Sequence, residues 1–211
     1  MTSELAVYWR GWEEEKLAAY QQDQGSTNHC AKYASATAAN LLSGTSFDGR
    51  SLVSWLEGRL LKGSARYTIF GNHNGSLVFQ TANLVKRLGL LNGIPFEVRI
   101  KRGKVPDLLD ALKDGGAISL VSVTYFKGEE PQICRGQNTA SVLAAARWVG
   151  GHVMILSAYD PEHYNLAGVC TPWGFQSSWA SKSELYWMSD EDFRHTWGRL
   201  SFFNMVTVRM K

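Results

Sequence analysis

A predicted helix of small residues, with a cysteine at its start, most constrains how this chain can fold. Ala31, Ala34 and Ala38 recur at helical spacing after Cys30. Small side chains at such positions allow neighbouring elements to pack close to the helix axis. Neighbouring elements are therefore expected to pack close to this helix.

A glutamine lies six positions before this cysteine. Between Gln24 and Cys30, both Thr27 and Asn28 are residue types that cap helix N-termini. A thiol at a helix N-terminus lies close to about half a positive charge from the helix dipole, which favours the thiolate. The side-chain amide of Gln24 and the backbone N–H of Cys30 are candidates to hold an oxyanion.

A histidine later in the chain supplies the base that a nucleophilic thiol needs. Gly150-Gly151-His152 opens an apolar run with strand character. Thiols paired with histidine can titrate near roughly 3–4 instead of about 8.5, so the sequence predicts a lowered pKa for Cys30. An oxyanion donor, a thiol and an imidazole in this order indicate thiol-based acyl transfer.

The histidine strand is predicted to form one side of a hairpin. Asp160-Pro161-Glu162-His163 is a turn signal between two strand-like runs. If the hairpin is symmetric about this turn, His152 lies opposite Thr171, with Cβ atoms roughly 4.5–5.5 Å apart. Asp160 is excluded as its partner, because eight residues of strand span about 26 Å. Thr171 is therefore the predicted orienting residue.

The two halves of the chain differ in their predicted elements, which indicates an α+β fold. The first half is mainly helical. The second half carries strands from Phe96 and from Ala117, and a last strand from Leu200 to Val208. A helix is predicted over Trp9 to Tyr20, and a long loop over Thr124 to Ser141. We expect a single domain over residues 1–211, with a helical lobe over about 1–92 and a sheet lobe over about 93–211.

Composition and charge exclude several classes of function. The net charge is +3, from 22 basic and 19 acidic side chains, and the only dense basic run, Lys101-Arg102-Gly103-Lys104, is short. We interpret this run as a solvated turn, and no nucleic-acid partner is expected. The three cysteines, Cys30, Cys134 and Cys170, are too far apart for a metal knuckle, so no metal or cofactor is expected.

Neither a membrane span nor a signal peptide is expected. Arg147 and His152 interrupt the most apolar long stretch, Thr139 to Tyr159. The start, Met1-Thr2-Ser3-Glu4, has no basic region followed by an apolar one. The protein is therefore expected in the cytoplasm, or exported as an effector without a visible signal. His163 and His195 have no partners at ligand spacing and are expected at the surface.

Three segments carry a resemblance to papain-like cysteine peptidases. Gln24-Gly25-Ser26-Thr27-Asn28-His29-Cys30 is similar to the active-site segment, including the glutamine-to-cysteine offset. Residues 151–160 resemble the histidine strand of the bacteriocin-processing branch, whose peptidase domains remove double-glycine leaders. Val169-Cys170-Thr171-Pro172-Trp173-Gly174 resembles the segment in which that branch carries Asp-Pro-Trp-Gly and papains carry Asn-Ser-Trp-Gly. Residues 83–90 are similar to the mid-chain helix of the branch.

The resemblance implies a papain-like fold, with the cysteine helix in one lobe and the histidine hairpin in the other. It implies that Cys30 is the nucleophile, His152 the general acid and base, and Gln24 an oxyanion-hole donor. Thr171 stands where the family has Asp or Asn, and it brings no negative charge to the imidazole. By the same resemblance, Trp173 shields the histidine from water. The substrate cleft is expected to be lined by Gly25, Asn28, Gly151 and Trp173.

The expected function is hydrolysis of a peptide or amide bond through a thioester at Cys30, with a peptide or protein as substrate. Two alternatives stay open. The same thioester can transfer its acyl or peptidyl group to another amine, as in phytochelatin synthases. A catalytically silent papain-like fold that binds a partner is the other, and the Thr171 substitution favours it.

Overall fold

The computed structural model describes residues 8–9, 14–56, 76–142, 149–179, 184–199 and 202–211. The helices are α1 (Glu14–Tyr20), α2 (Cys30–Ser43), α3 (Gly49–Leu56), α4 (Val78–Leu91), α5 (Val105–Lys113) and α6 (Asp190–Gly198). The strands are β1 (Tyr8–Trp9), β2 (Phe96–Arg102), β3 (Ala117–Phe126), β4 (Gln132–Arg135), β5 (Ser141–Val142), β6 (Val149–Tyr159), β7 (Trp173–Gln176), β8 (Tyr186–Met188) and β9 (Asn204–Met210). The predicted α+β class is confirmed.

The described strands form one antiparallel sheet in the order β2-β9-β3-β6-β7-β8-β4-β5, with β1 added to β6. Within the sheet, β3 pairs along most of its length with β6 and also with β9. Val123 of β3 lies opposite His152 of β6. His152 therefore lies on a strand that is paired with its neighbour β3 over most of its length.

Helices cover both faces of this sheet. On one face, α2 packs its alanines against alternate residues of β6, namely Val153 and Ile155. On the other face, α5 and α6 pack against the intervening residues Met154 and Leu156. The period of two along β6 sends successive side chains to opposite layers. The alanine helix packs against the histidine strand, and this agrees with the close packing that its small residues predict.

The helical half agrees with expectation in its main elements. In α2, residues 30–41 are buried, and α3 and α4 pack beside it through Leu52, Leu84 and Leu88. The predicted helix over Trp9 to Tyr20 is partly wrong, because Trp9 pairs with Ala158 in a strand, and α1 begins at Glu14. No helix among the described residues is long and apolar enough to cross a membrane. The division into two lobes near residue 92 stays a prediction.

The hairpin after β6 differs from the symmetric one that the turn signal predicts. Residues 164 and 170 meet only in an isolated bridge, and the strand that pairs with β6 begins at Trp173. Leu156 lies opposite Phe175, with a register shift before Ala158. The extra loop over residues 160–172 therefore shifts the whole register. The predicted loop over 124–141 is also partly wrong, because it contains β4.

Gly115 and Gly150 each begin a Gly-Gly pair, but the space around the two residues differs. A Cβ added at Gly150 would overlap the ring of Tyr125, its cross-strand partner. At Gly115, in the turn before β3, nothing lies within 4 Å of an added Cβ. The ring of Tyr125 thus occupies the space that a side chain at position 150 would need.

We expect Gly150→Ala to lower the free energy of unfolding by about 1–3 kcal/mol, because overpacking forces side chains and backbone to shift. Gly115→Ala is the matched control and should change it by less than about 0.5 kcal/mol. Urea denaturation of both variants measures the difference. Equal effects of the two substitutions would contradict the close approach of Tyr125.

Candidate active site

Cys30 is the first residue of α2, as the sequence predicts. Its residue is 8% exposed, and its Sγ accepts a hydrogen bond from the backbone N–H of Val153 at 3.4 Å. The N-cap position belongs to His29, whose side chain makes no capping bond. The predicted capping by Thr27 or Asn28 is therefore wrong. The thiol instead lies against β6, beside the residue that follows His152.

His152 is enclosed by a segment that the sequence analysis did not single out. Its residue is 3% exposed, and its Nε2 is hydrogen-bonded to the Oγ of Ser177 at 2.9 Å. The indole of Trp179 stacks on the imidazole, with ring centroids 3.7 Å apart. The edge and one face of the imidazole are therefore fixed by residues two positions apart.

Gln24 is tied to the same segment. Its residue is 6% exposed, and its side-chain carbonyl accepts a hydrogen bond from Ser178 Oγ at 2.5 Å. Its backbone N–H donates to the carbonyl of Ser178 at 2.7 Å. The side-chain amide donates to the carbonyl of Thr27, within the loop that leads to Cys30. Ser177-Ser178-Trp179 thus contacts both the predicted oxyanion donor and the predicted base.

Thr171 lies elsewhere, and the predicted pairing with His152 is wrong. Its Oγ1 is hydrogen-bonded to Nδ1 of His163 at 2.8 Å. The residue lies near the end of the extra loop over residues 160–172, where the N–H of Asp160 donates to the carbonyl of Pro172. Seven residues of strand separate Tyr159 from His152, a span of about 23 Å. A longer loop than a tight turn accounts for the displacement.

His163 lies in the same loop, and the prediction that it is at the surface is wrong. His163 is 8% exposed, and its ring stacks on Trp187 with centroids 3.9 Å apart. Cys134 lies beneath, with its Sγ 3.7 Å from Thr171 Oγ1. These contacts hold the loop against the sheet.

Trp173 does not shield His152 as the resemblance implies. It is fully buried on the face covered by α6, where it packs against Phe193 and donates its indole N–H to Asp190 at 2.9 Å. Its cross-strand partners are Tyr159 and Met188. Trp179, and not Trp173, covers the imidazole of His152.

The other predicted cleft residues surround the thiol loop at the surface. Gly25 and Asn28 are exposed, and Gly25 has a φ of +60°, which favours glycine. Gly151 is exposed next to His152, and an added Cβ would lie 3.3 Å from the carbonyl of Val123. Their contact with a substrate stays a prediction.

Burial sets the protonation states of the thiol and the imidazole. Desolvation raises the pKa of Cys30, although the Val153 N–H and the charge of Lys32 oppose this rise. Desolvation lowers the pKa of His152 to about 3. The expected lowering of the thiol pKa is therefore wrong for this enclosed arrangement. Both groups are neutral at pH 7, because a charged form loses its hydration on burial.

Among the residues that the structure describes, no group of three His, Cys, Asp or Glu side chains is placed to hold a metal ion. Within the described residues, the candidate site consists of the Cys30 thiol, the His152 imidazole, the Gln24 amide and two serine hydroxyls. This set suits nucleophilic attack and proton transfer.

Comparisons with known proteins identify the fold. No family model matches the chain, and no curated protein matches its sequence. Among solved structures, the chain is similar to a Bacillus anthracis protein that is provisionally described as a C39-like peptidase. The identity is 14%, the match covers 90% of this chain and 94% of that chain, and the TM-score is 0.59. The chain thus shares the α+β fold of that protein.

Sequence reasoning missed Ser177 and Trp179, although a signal for them was present. Ser177-Ser178-Trp179 shares the Ser-Trp pair with the Asn-Ser-Trp of papains, whereas Thr171-Pro172-Trp173 shares only the tryptophan. The choice between the two depends on the length of the loop after β6, and no local pattern gives that length. The Pro-Trp-Gly match and an assumed tight turn both favoured the wrong segment.

The lowered pKa of His152 makes stability depend on pH. Between pH 6.5 and about 3, the unfolded chain protonates this histidine and the folded one does not, so stability falls as the pH falls. The loss amounts to about 1.4 kcal/mol per pH unit at most. We expect His152→Gln to reduce the slope of unfolding free energy against pH in this range, as measured by urea denaturation at several pH values.

His195→Gln is the control, because His195 lies on the exposed side of α6. This variant measures the change of slope that follows from the loss of one exposed histidine, and the change in His152→Gln should exceed it. A slope that is the same in His152→Gln and in the wild type would contradict the burial of a neutral imidazole at this position.

Proposed function

We propose that this protein is a cysteine peptidase or amidase that cleaves a peptide or amide bond through a thioester at Cys30. One observation carries the proposal: the thiol begins a buried helix and accepts a hydrogen bond from Val153, the residue that follows a histidine whose imidazole is fixed on its edge and on one face. Thiol-based acyl transfer needs this combination of nucleophile and oriented base. The likeness of the fold to a C39-like peptidase supports it.

The neutral resting state suggests how the thiol is activated. A neutral imidazole is a base, so His152 accepts the Sγ proton as the sulfur attacks the carbonyl carbon of the substrate. Since Nε2 is engaged by Ser177, Nδ1 is the nitrogen proposed to take this proton. The charges then develop during attack, in surroundings with little water, where nearby dipoles act strongly.

The oxyanion of the tetrahedral intermediate is proposed to accept hydrogen bonds from the Cys30 N–H and from Gln24. An amide nitrogen has two N–H donors. In Gln24 one of them donates to the carbonyl of Thr27, which fixes the orientation of the amide and leaves the second hydrogen for the oxyanion. Loss of one such donor typically lowers the rate about 10²–10³-fold.

Collapse of the intermediate completes the reaction. The C–N bond breaks as the protonated His152 gives its proton to the leaving amine, and the acyl group stays on Cys30 as a thioester. A water molecule, deprotonated by His152, then attacks the thioester and releases the carboxylic acid and the thiol. The similarity of residues 151–160 to the bacteriocin-processing branch extends the proposal to peptides with small residues before the scissile bond.

Two alternatives have support of their own. Acyl transfer uses the same thioester and differs only in the acceptor, an amine in place of water. A silent binding fold is favoured by the burial of the site, since Gln24, Cys30 and His152 are each at most 8% exposed, and by a serine in place of a carboxylate or amide at His152.

We expect the wild-type protein to cleave a subset of peptides in a proteome-derived library, and mass spectrometry detects the new termini whatever the sequence of the substrate. Cys30→Ala and His152→Ala should lower the yield of each new terminus at least about 10³-fold. Glycylglycine added as a competing amine separates the outcomes. Free carboxyl termini support hydrolysis, and extended products support transfer.

Cys134→Ala is the matched control, because Cys134 is a buried thiol far from His152 in the sheet order. It should cleave as the wild type does. The absence of new termini in the wild type, together with iodoacetamide labelling of Cys30 that does not depend on His152, would leave only the binding fold.

Ser177→Ala should lower kcat about 3–10-fold, because it removes one neutral hydrogen bond that orients His152. Thr171→Ala should leave kcat unchanged, although it removes the partner of His163 and so lowers stability. The reverse pattern would support the pairing that the sequence predicts. Ser177→Asn is informative as well, since an amide carbonyl can replace the hydroxyl, and its activity should exceed that of the alanine variant.

A further inference from the structure

A small basic cavity lies on the face of β2 and β9, away from the candidate active site. Its volume is about 70 Å³, and it is lined by Glu97, Arg99, Lys101, Thr207 and Arg209. A cavity of roughly 10–15 Å³ on this measure already holds one water molecule, so this cavity has room for several waters or one compact ion. The basic run that the sequence analysis interprets as a solvated turn begins at this cavity.

Strand pairing brings the cavity residues together. Arg99 lies directly opposite Thr207, and Glu97 lies opposite Arg209. Directly opposed residues have Cβ atoms about 4.5–5.5 Å apart on one face of a sheet. Lys101 follows on the same face of β2, since it is two residues beyond Arg99. Three cationic side chains therefore surround one threonine.

The threonine at the centre is the unusual part of this surface. Thr207 is 5% exposed, and its Oγ1 has no hydrogen-bond partner among the described residues. The hydroxyl of Ser119, its cross-strand neighbour on β3, is likewise buried and unpaired within the described ranges. A buried hydroxyl without a partner is rare, because such a group costs free energy that most proteins avoid.

The charges of the cavity are only partly balanced. Arg99 pairs with Glu97, and Arg209 pairs with Asp114. Lys101 has no ion-pair partner among the residues that the structure describes. The two ion pairs and Lys101 together therefore carry a net charge of +1. Charged residues on an edge strand such as β2 are common, since they discourage aggregation. That explanation accounts for the cations, but not for the buried, unpaired hydroxyl between them.

We propose that this cavity binds the phosphate group of a small solute, such as inorganic phosphate or a phosphate monoester. The donors come from several directions: two guanidinium groups, one ammonium and the Thr207 hydroxyl. A tetrahedral oxyanion has an acceptor for each of them, whereas a carboxylate has two oxygens in one plane. Each arginine keeps free N–H groups, because a guanidinium has five donors and its ion pair occupies only part of them.

Thermal unfolding tests the proposal when chloride is replaced stepwise by inorganic phosphate at constant ionic strength. We expect the Tm of the wild type to rise by about 3–6 °C once phosphate is at about ten times its Kd. Phosphate also stabilises proteins in general through exclusion from their surface. The variants must therefore separate binding from this general effect.

Thr207→Val keeps the shape of the side chain and removes the hydroxyl. Its Tm in chloride should equal or exceed that of the wild type, because an unpaired buried polar group is lost. Its Kd for phosphate should rise about tenfold, and so should that of Arg99→Gln. Arg87→Gln, on the exposed side of α4, is the control and should respond to phosphate as the wild type does. Amide NMR shifts of residues 99, 101 and 207 during the titration locate the bound ion.

The source of the phosphate group is distinguished by three probes: inorganic phosphate, glycerol phosphate, and phosphatidylcholine vesicles that contain phosphatidic acid. Saturable binding of either soluble probe, weakened by both cavity variants, supports the proposal. Thr207-dependent sedimentation with vesicles, without binding of the soluble probes, would overturn the assignment to a free solute. An equal phosphate-dependent rise of Tm in the wild type and both cavity variants would overturn the site itself.

Discussion

The residues 177–179 hold the candidate active site together, because each makes a different contact with it. Ser177 fixes the edge of the His152 imidazole, Ser178 bonds to Gln24 through both its side chain and its carbonyl, and Trp179 covers a face of the imidazole. Gln24 and His152 lie more than 100 residues apart in sequence. Their common partner sets their relative position, so the geometry of the site depends on where this short segment enters after β7.

The close approach of α2 to β6 is the second constraint, and it has an electrostatic consequence. Alanines along α2 allow its first residue, Cys30, to come within hydrogen-bond reach of the Val153 N–H. The same tight packing removes water from the thiol and the imidazole, which raises the pKa of one and lowers that of the other. A tightly packed thiol is well positioned, but the ion pair is no longer the stable state of the resting protein.

Elements with a strong local pattern could be predicted from the sequence, and long-range registers could not. The start of β3 at Ala117 agrees with the sequence, since Gly115-Gly116 comes directly before a β-branched run. The start of α2 at Cys30 agrees as well. The predicted partner of His152 was wrong because the loop after β6 has its own internal bonds, such as His163 with Thr171. The predicted pKa of Cys30 was wrong because helix dipoles are local, whereas burial is a property of the whole fold.

The loop over residues 160–172 is held in place by contacts that do not involve the candidate active site. Its bonds between His163 and Thr171 and its stacking on Trp187 close it independently of the far end of β6. Its tip is exposed at Leu166, Ala167 and Gly168, at least about 23 Å of strand away from His152. Natural length variation and engineered peptide grafts can therefore be accommodated at this tip, while the contact between the Cys30 thiol and the Val153 N–H stays as it is.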